Sequence, residues 1–201
     1  SVSKKLNIVR HLIEEQCDIL LLQETWLRPD LEITGDVSLQ GCQYEYQRMD
    51  RASKKNKIGG GTMIWYRKGI QIIKQVRLNK DSGLYQLVVN TESGTKTCWI
   101  ANTYLNRGST KQIQLLFKRI VEIVPTDYMR NIFILGDMNV DLNNNTPQKN
   151  LITEISKSLG LRIVSTEENT RKSSKIDFGF VYKDSKVDAK HFTISSSTKV
   201  G

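Results

Sequence analysis

The sequence predicts an α/β (α+β) domain, a two-sheet β-sandwich flanked by helices. Two observations carry that expectation. Short apolar runs of strand length alternate with segments whose apolar residues fall at helical intervals, and no linker or internal repeat divides them. Helix–strand units on either side of a run of hairpin strands bury both kinds of apolar face with the sheets inside and the helices outside. The only low-complexity stretch is Asn143-Asn144-Asn145, and 201 residues suit one domain with a real core, so the expected domain is 1–201.

The elements follow in chain order. Leu6, Val9, Leu12 and Ile13 share one helical face within Lys4–Gln16. Ile19-Leu20-Leu21-Leu22 is a continuous apolar run that reads as a buried strand, and Tyr44–Gln47 is a second strand. Arg51–Lys57 reads as a basic loop, after which Gly59-Gly60-Gly61 leads into a strand over Thr62–Tyr66, ended by Lys68-Gly69. Ile70–Val76, Leu84–Asn90 and Thr97–Thr103 repeat the strand–turn spacing with Ser93-Gly94 as hairpin punctuation, so the middle reads as antiparallel β. Ser109-Thr110 can cap a helix carrying Ile113, Leu116, Phe117, Ile120 and Val124, which Pro125 ends. Asn131–Leu135 is a strand closed by Gly136. Thr146-Pro147 opens a helix with Leu151, Ile152, Ile155 and Leu159 inward and Gly160 as its stop. Leu161–Val164, Ile176–Tyr182 and Val187–Ile194 complete the strands.

Composition bounds the function. At 38% hydrophobic and 25% charged the chain is neither disordered nor membrane-embedded in bulk. No apolar run approaches the ~18 residues of a spanning helix. Lys and Arg outnumber Asp and Glu by 30 to 21, a net charge of +9, which favours polyanionic partners. The cations are dispersed, and a solvated face is the default reading of each cluster. Cys17, Cys42 and Cys98 have no C-x-x-C spacing, which argues against a zinc site or a disulfide scaffold and for an intracellular, nuclear or cytoplasmic, location.

Polar residues at the ends of apolar strands are the informative positions, because a rigid strand can hold a reacting group while the loops open the site. Four such places stand out: Gln23-Glu24-Thr25-Trp26, Asn102-Thr103-Tyr104, Gly136-Asp137-Met138-Asn139, and Asp177. Alternation puts Asp177 on the opposite face from Ile176, Phe178, Phe180 and Tyr182. Each has a bland reading. Glu24 can pair with a surface lysine, Asp137 can make an Asx-turn, Asp177 can be solvated, and Tyr104 can be half-buried packing. Taken together they are hard oxygen donors and hydrogen-bonding groups that suit Mg²⁺ and phosphodiester hydrolysis.

Ile19-Leu20-Leu21-Leu22-Gln23-Glu24-Thr25-Trp26-Leu27 resembles the strand–Gln–Glu signature of the endonuclease/exonuclease/phosphatase superfamily. Gly59-Gly60-Gly61-Thr62-Met63-Ile64 is similar to its glycine-rich turn. Ile134-Leu135-Gly136-Asp137-Met138-Asn139 is similar to its Gly-Asp-Phe-Asn motif, with Met for Phe. Thr170 and Ser174-Lys175-Ile176-Asp177-Phe178 resemble its late Thr…Ser…Ile-Asp-Tyr stretch. Within that superfamily the likeness is greatest to the apurinic-type endonuclease domains of non-LTR retrotransposons. The resemblance implies a divalent cofactor, Mg²⁺ or Mn²⁺, held by Glu24, and a phosphate contact from Tyr104. It implies that Asp137 orients or deprotonates the attacking water and that Asn139 holds that water or a phosphate oxygen. Asp177 takes the place of the carboxylate that orients a catalytic histidine. Thr170 lies in a loop near the DNA, and Lys54, Lys55, Lys57 and Arg171 are expected at the rim of a basic groove facing duplex DNA.

The resemblance has three departures. The family opens on a strand ending in an Asn, and this chain starts just after that point. After Tyr104 it reads Leu105-Asn106-Arg107 in place of the family's Pro. Where the family has Ser-Asp-His, the sequence reads Ile194-Ser195-Ser196-Ser197-Thr198-Lys199-Val200-Gly201, and its two histidines are His11 and His191. His11 falls on the first helix, away from the motifs, and His191 on a strand a few residues before the expected place. A general acid/base is typically worth ~10²–10⁴-fold in rate. Three readings therefore stay open. They are a DNA-nicking metalloenzyme of retrotransposon type, a co-opted domain that binds nucleic acid or a partner without cutting, and a phosphatase or RNA-directed nuclease on the same fold.

Overall fold

The computed structural model describes residues 17–27, 44–50, 60–165 and 173–186. The Lys4–Gln16 helix, the Arg51–Lys57 loop and the Val187–Ile194 strand expected from the sequence lie outside the described residues. The expected sandwich is present. A three-stranded sheet is built from β1 (Ile19–Gln23), β2 (Tyr44–Met49) and β3 (Thr62–Arg67), in the order β1-β3-β2. A six-stranded sheet contains β4 (Ile70–Asn79), β5 (Ser82–Thr91), β6 (Gly94–Tyr104), β7 (Ile132–Asp137), β8 (Leu161–Val164) and β9 (Asp177–Tyr182), in the order β4-β5-β6-β7-β9-β8.

The hairpins β4–β5 and β5–β6 are antiparallel, as the strand–turn spacing predicts, and Thr91 pairs with Gly94 across the last turn. β3 does not join them. It is buried along most of its length and paired on both edges, by β1 and β2, so no edge remains for β4. Lys68-Gly69, with Gly69 at φ +103°, carries the chain from one sheet to the other. β6 and β7 are parallel, which requires a crossover, and α1 (Thr110–Ile123) supplies it. A 3-10 turn over Thr126–Asn131 precedes β7, so that strand begins at Ile132 and runs on to Asp137.

Both helices start where the sequence indicates. Ser109 accepts from the Gln112 backbone N–H while the Gln112 side chain accepts from the Ser109 N–H, a capping box for α1. Thr146 caps α2 (Pro147–Ser158), with Pro147 in the first turn. Ile113, Leu116, Phe117 and Ile120 of α1 and Ile152 of α2 pack with Trp99, Ala101, Ile132, Ile134, Phe178 and Phe180 on the outer face of the large sheet. Burying each of the larger side chains stabilises the fold by about 1.5–3 kcal/mol. A second core holds Ile64, Tyr66, Tyr85, Leu87 and Ile100, with Ile19, Leu21 and Phe133 against them, between the two sheets. Among the described residues no helix is long and apolar enough to cross a membrane.

Candidate active site

The site lies where the interior between the sheets changes from apolar to polar. Along β6 the inward residues run Cys98, Ile100, Asn102, Tyr104, and along β7 they run Phe133, Leu135, Asp137. In register, Tyr104 lies beside Asp137, and Asp137 directly opposite Asp177. Three adjacent strands thus present Tyr104, Asp137 and Asp177 in one row on one face. The expected alternation of Asp177 holds, since Phe178 and Phe180 face the helices. Its own face is the inter-sheet face, where Gly179 and Val181 are buried and Asp177 itself is half-buried.

Glu24 reaches this row from the other sheet. It follows β1, and its Oε1 accepts a hydrogen bond from the Tyr104 hydroxyl. One step deeper, Gln23 Nε2 donates to Asn102 Oδ1 at 2.7 Å. The fully buried Asn102 amide donates in turn to the carbonyls of Leu22 (3.2 Å) and Met63 (2.9 Å). These bonds sew β6 to β1 and β3 and fix the height at which Glu24 meets Tyr104.

Backbone geometry aims the groups. Glu24 (φ +51°) and Trp26 (φ +57°) both sit in the left-handed region, which costs non-glycine residues of order 1–3 kcal/mol each unless their surroundings hold them there. Here Thr25 N–H donates to Gly61 O and Trp26 N–H to Gly60 O, with the Thr25 side chain buried between them. Gly136 is required for a different reason. It has φ +141°, and a Cβ there would stand 2.0 Å from the carbonyl oxygen of Thr103 on the neighbouring strand. That close approach brings Asp137 beside Tyr104.

Asp137 Oδ1 accepts from the Asn139 N–H at 2.8 Å, which is the Asx-turn of the bland reading. The turn and the row coexist, because the turn locks the carboxylate that the row presents. Asn139 is itself left-handed (φ +49°), and its Nδ2 donates to Leu105 O at 2.7 Å. That bond leaves Oδ1 and one amide hydrogen of Asn139 for other partners. The Tyr104 hydroxyl is pushed well above its ordinary value, first by burial, then by its bond to Glu24 and by the negative charges of Glu24, Asp137 and Asp81. It therefore stays a donor throughout the physiological range.

Asp81 is a site residue that sequence reasoning missed. It is 1% exposed in the β4–β5 turn, accepts from Gly61 N–H at 3.3 Å, and lies 3.7 Å from Lys80 Nζ. Through Gly61 it braces the turn that holds Thr25 and Trp26. Its neighbour Ser82 accepts from Tyr104 N–H (2.9 Å) and donates to Tyr104 O (3.1 Å). In sequence, Asn79-Lys80-Asp81-Ser82-Gly83 reads as an ordinary polar turn, and nothing in it signals burial. Of the residues expected at the site, Glu24, Tyr104, Asp137, Asn139 and Asp177 come to one end of the sandwich. Thr170, Arg171, Lys54, Lys55 and Lys57, with His11 and His191, lie outside the described residues.

Hard-oxygen groups thus gather at the seam of a two-sheet sandwich flanked by helices. The chain matches the Endonuclease/Exonuclease/phosphatase family over residues 2–180 and belongs to it. Among solved structures it is similar to the endonuclease domain of TRAS1, a telomere-specific non-LTR retrotransposon, with a TM-score of 0.60, 14% identity, and coverage of 88% of this chain and 77% of that one. The human Nocturnin catalytic domain is similar at TM-score 0.61 and 15% identity, covering 91% of this chain and 75% of that one. A mannosyl-6-phosphatase from Bacteroides thetaiotaomicron is similar at TM-score 0.57 and 14% identity, covering 89% and 76%. At these identities the likeness is one of fold. No curated protein matches the chain by sequence.

Proposed function

We propose that the chain is a divalent-metal-dependent phosphodiesterase that nicks DNA, of the retrotransposon endonuclease type. The observation that carries this reading is the row of Tyr104, Asp137 and Asp177 facing Glu24 across the seam. The likeness to the TRAS1 endonuclease domain and the net charge of +9 support DNA as the substrate.

The donor set fits Mg²⁺ or Mn²⁺. Mg²⁺ takes one or two protein carboxylates and keeps waters and substrate phosphate oxygens as its remaining ligands. Glu24 would supply the carboxylate. Bound there, the ion supplies polarisation of the phosphoryl group and offsets its developing charge.

The chain's own residues do the rest. The Tyr104 hydroxyl, whose one proton goes to Glu24 in the free chain, would turn that proton to a non-bridging phosphate oxygen once Glu24 holds the metal. Asp137, fixed by the Asn139 N–H, aligns the attacking water and accepts its proton. Asn139 offers its remaining amide hydrogen or Oδ1 to that water or to a phosphate oxygen. Asp177 stands directly opposite Asp137 in the β7–β9 register, at the place of the family's histidine-orienting carboxylate.

A second reading is a domain that kept the scaffold and binds nucleic acid without cutting it. It is motivated by the residues Ile194-Ser195-Ser196-Ser197, which stand at the place where the resemblance puts the family's Ser-Asp-His. Plasmid nicking in Mg²⁺, Mn²⁺ and EDTA, beside Asp137→Ala, separates the two. Metal-dependent nicking that vanishes in the variant supports the hydrolase. Duplex binding in EDTA with no nicking under either metal supports the scaffold reading.

A further inference from the structure

The hydrolytic reading leaves one feature of the site unused. The chain has three tryptophans. Trp65 and Trp99 are each 2% exposed, whereas Trp26 is 44% exposed, two residues beyond Glu24. Burial of an indole is favourable, so a tryptophan held in water beside a reacting centre needs a reason.

The local backbone shows that this exposure is built in. Thr25 and Leu27 on either side are buried, while Glu24 and Trp26 point out. Trp26 adopts φ +57°, a conformation that L residues rarely take, and its N–H is tied to Gly60 O at 3.0 Å. Gly60 and Gly61 are themselves at φ +81° and +84°, and Gly61 N–H is held by the buried Asp81. The loop is braced from three directions and its indole is still left outside, so the ring is preorganised rather than frayed.

We propose that Trp26 is a stacking platform for a nucleobase next to the phosphate that the Tyr104 hydroxyl contacts, so that the site takes a strand with an unstacked base. The inference rests on the phosphodiesterase reading above. A flat π-surface binds any base face, and the net charge of +9 favours the polyanionic strand that would carry such a base. Glu24 and Trp26 leave the same strained turn, so the metal carboxylate and the base platform stand on one rigid element.

Trp26 is also its own reporter, because the other two indoles are shielded. Intrinsic fluorescence of the full chain is titrated in EDTA with a single-stranded oligodeoxynucleotide, an abasic oligomer of equal length, and mannose 6-phosphate. Affinity is measured independently by anisotropy of a labelled oligonucleotide. The expected result is quenching by the base-bearing strand but not by the abasic one, and loss of the quench in Trp26→Phe with binding largely retained. Trp26→Ala should weaken binding of the base-bearing strand roughly 5- to 150-fold and bring it to the abasic level. Circular dichroism of both variants checks the fold.

Equal affinity for the two oligomers, unchanged affinity in Trp26→Ala, no binding of any oligonucleotide, or quenching by the sugar phosphate alone overturns the proposal. Because EDTA removes catalysis from the readout, a platform that binds bases in a chain that never nicks plasmid overturns the hydrolase reading and leaves the platform standing. Nicking without a base-dependent quench does the reverse.

Discussion

The two ends of the space between the sheets are made by the same strands and do opposite things. At one end Leu21, Ile64, Tyr66, Leu87, Ile100 and Phe133 close into a core. Two to four residues further along the same strands stand Gln23, Asn102, Tyr104 and Asp137, with Asp177 opposite the last of these. A strand repeats every two residues, so one alternation can serve both packing and chemistry. The apolar end is stabilised by burial. The polar end carries four acidic side chains, Glu24, Asp81, Asp137 and Asp177, together with left-handed residues, so it is held at some cost by its hydrogen bonds. Stability therefore comes from one end and reactivity is concentrated at the other, as expected where a fold tolerates local conflict for function.

Substitutions can test that division. The largest effect is expected for Gly136→Ala, which forces a Cβ against the Thr103 carbonyl where β6 and β7 meet. A loss on the order of 4 kcal/mol or more is expected, read as a collapse of the thermal transition. Asp137→Asn should cut nicking by about 10²–10⁴-fold. It also removes a like charge from directly opposite Asp177, so the melting temperature should rise as activity falls. A variant that lost both would show that the polar end is structural. Asn102→Leu leaves the carbonyls of Leu22 and Met63 without their buried donor and should cost roughly 1–3 kcal/mol by urea titration, with a fall in kcat as Glu24 loses its height against Tyr104.

The smallest effects are in pH. Asp141 accepts from the N–H groups of Lys175 and Asn143, which holds its pKa below 3.8. Its contribution to stability is present above that value and is lost as pH falls through the lowered one. Tyr104 is shifted the other way, so its contribution is full below 10 and is lost as pH rises above it. Acid and alkaline unfolding curves of Asp141→Asn and Tyr104→Phe should each lose one of these limbs.

Much of this was legible in the sequence because periodicity and punctuation are local. The helix starts at Ser109 and Thr146, the run Ile19–Leu22 and the hairpins of the middle all follow from spacing and capping chemistry. Glu24, Tyr104, Asp137, Asn139 and Asp177 were legible because each ends or opens an apolar run, and the resemblance supplied their order. The departure of β3 from the β-meander was not legible, because it depends on which strands occupy its two edges. Asp81 was hidden for a related reason. Its burial is created by Gly61 and Tyr104, which are distant in sequence, and an Asp in a Lys-Asp-Ser-Gly turn carries no local mark of it. The left-handed backbone at Glu24 and Trp26 likewise comes from the glycine turn opposite rather than from the residues themselves.

The bond from Tyr104 to Glu24 joins two sheets that, among the described residues, share no strand pairing with each other. A ligand held between the metal carboxylate Glu24 on one sheet and Tyr104 on the other therefore works as a further rivet through that joint, beside the bonds of Asn102, and ligand affinity becomes mechanical coupling between the two plates. Backbone amides of β1 should then exchange more slowly when ligand binds, in step with those of β6 and by the same free energy.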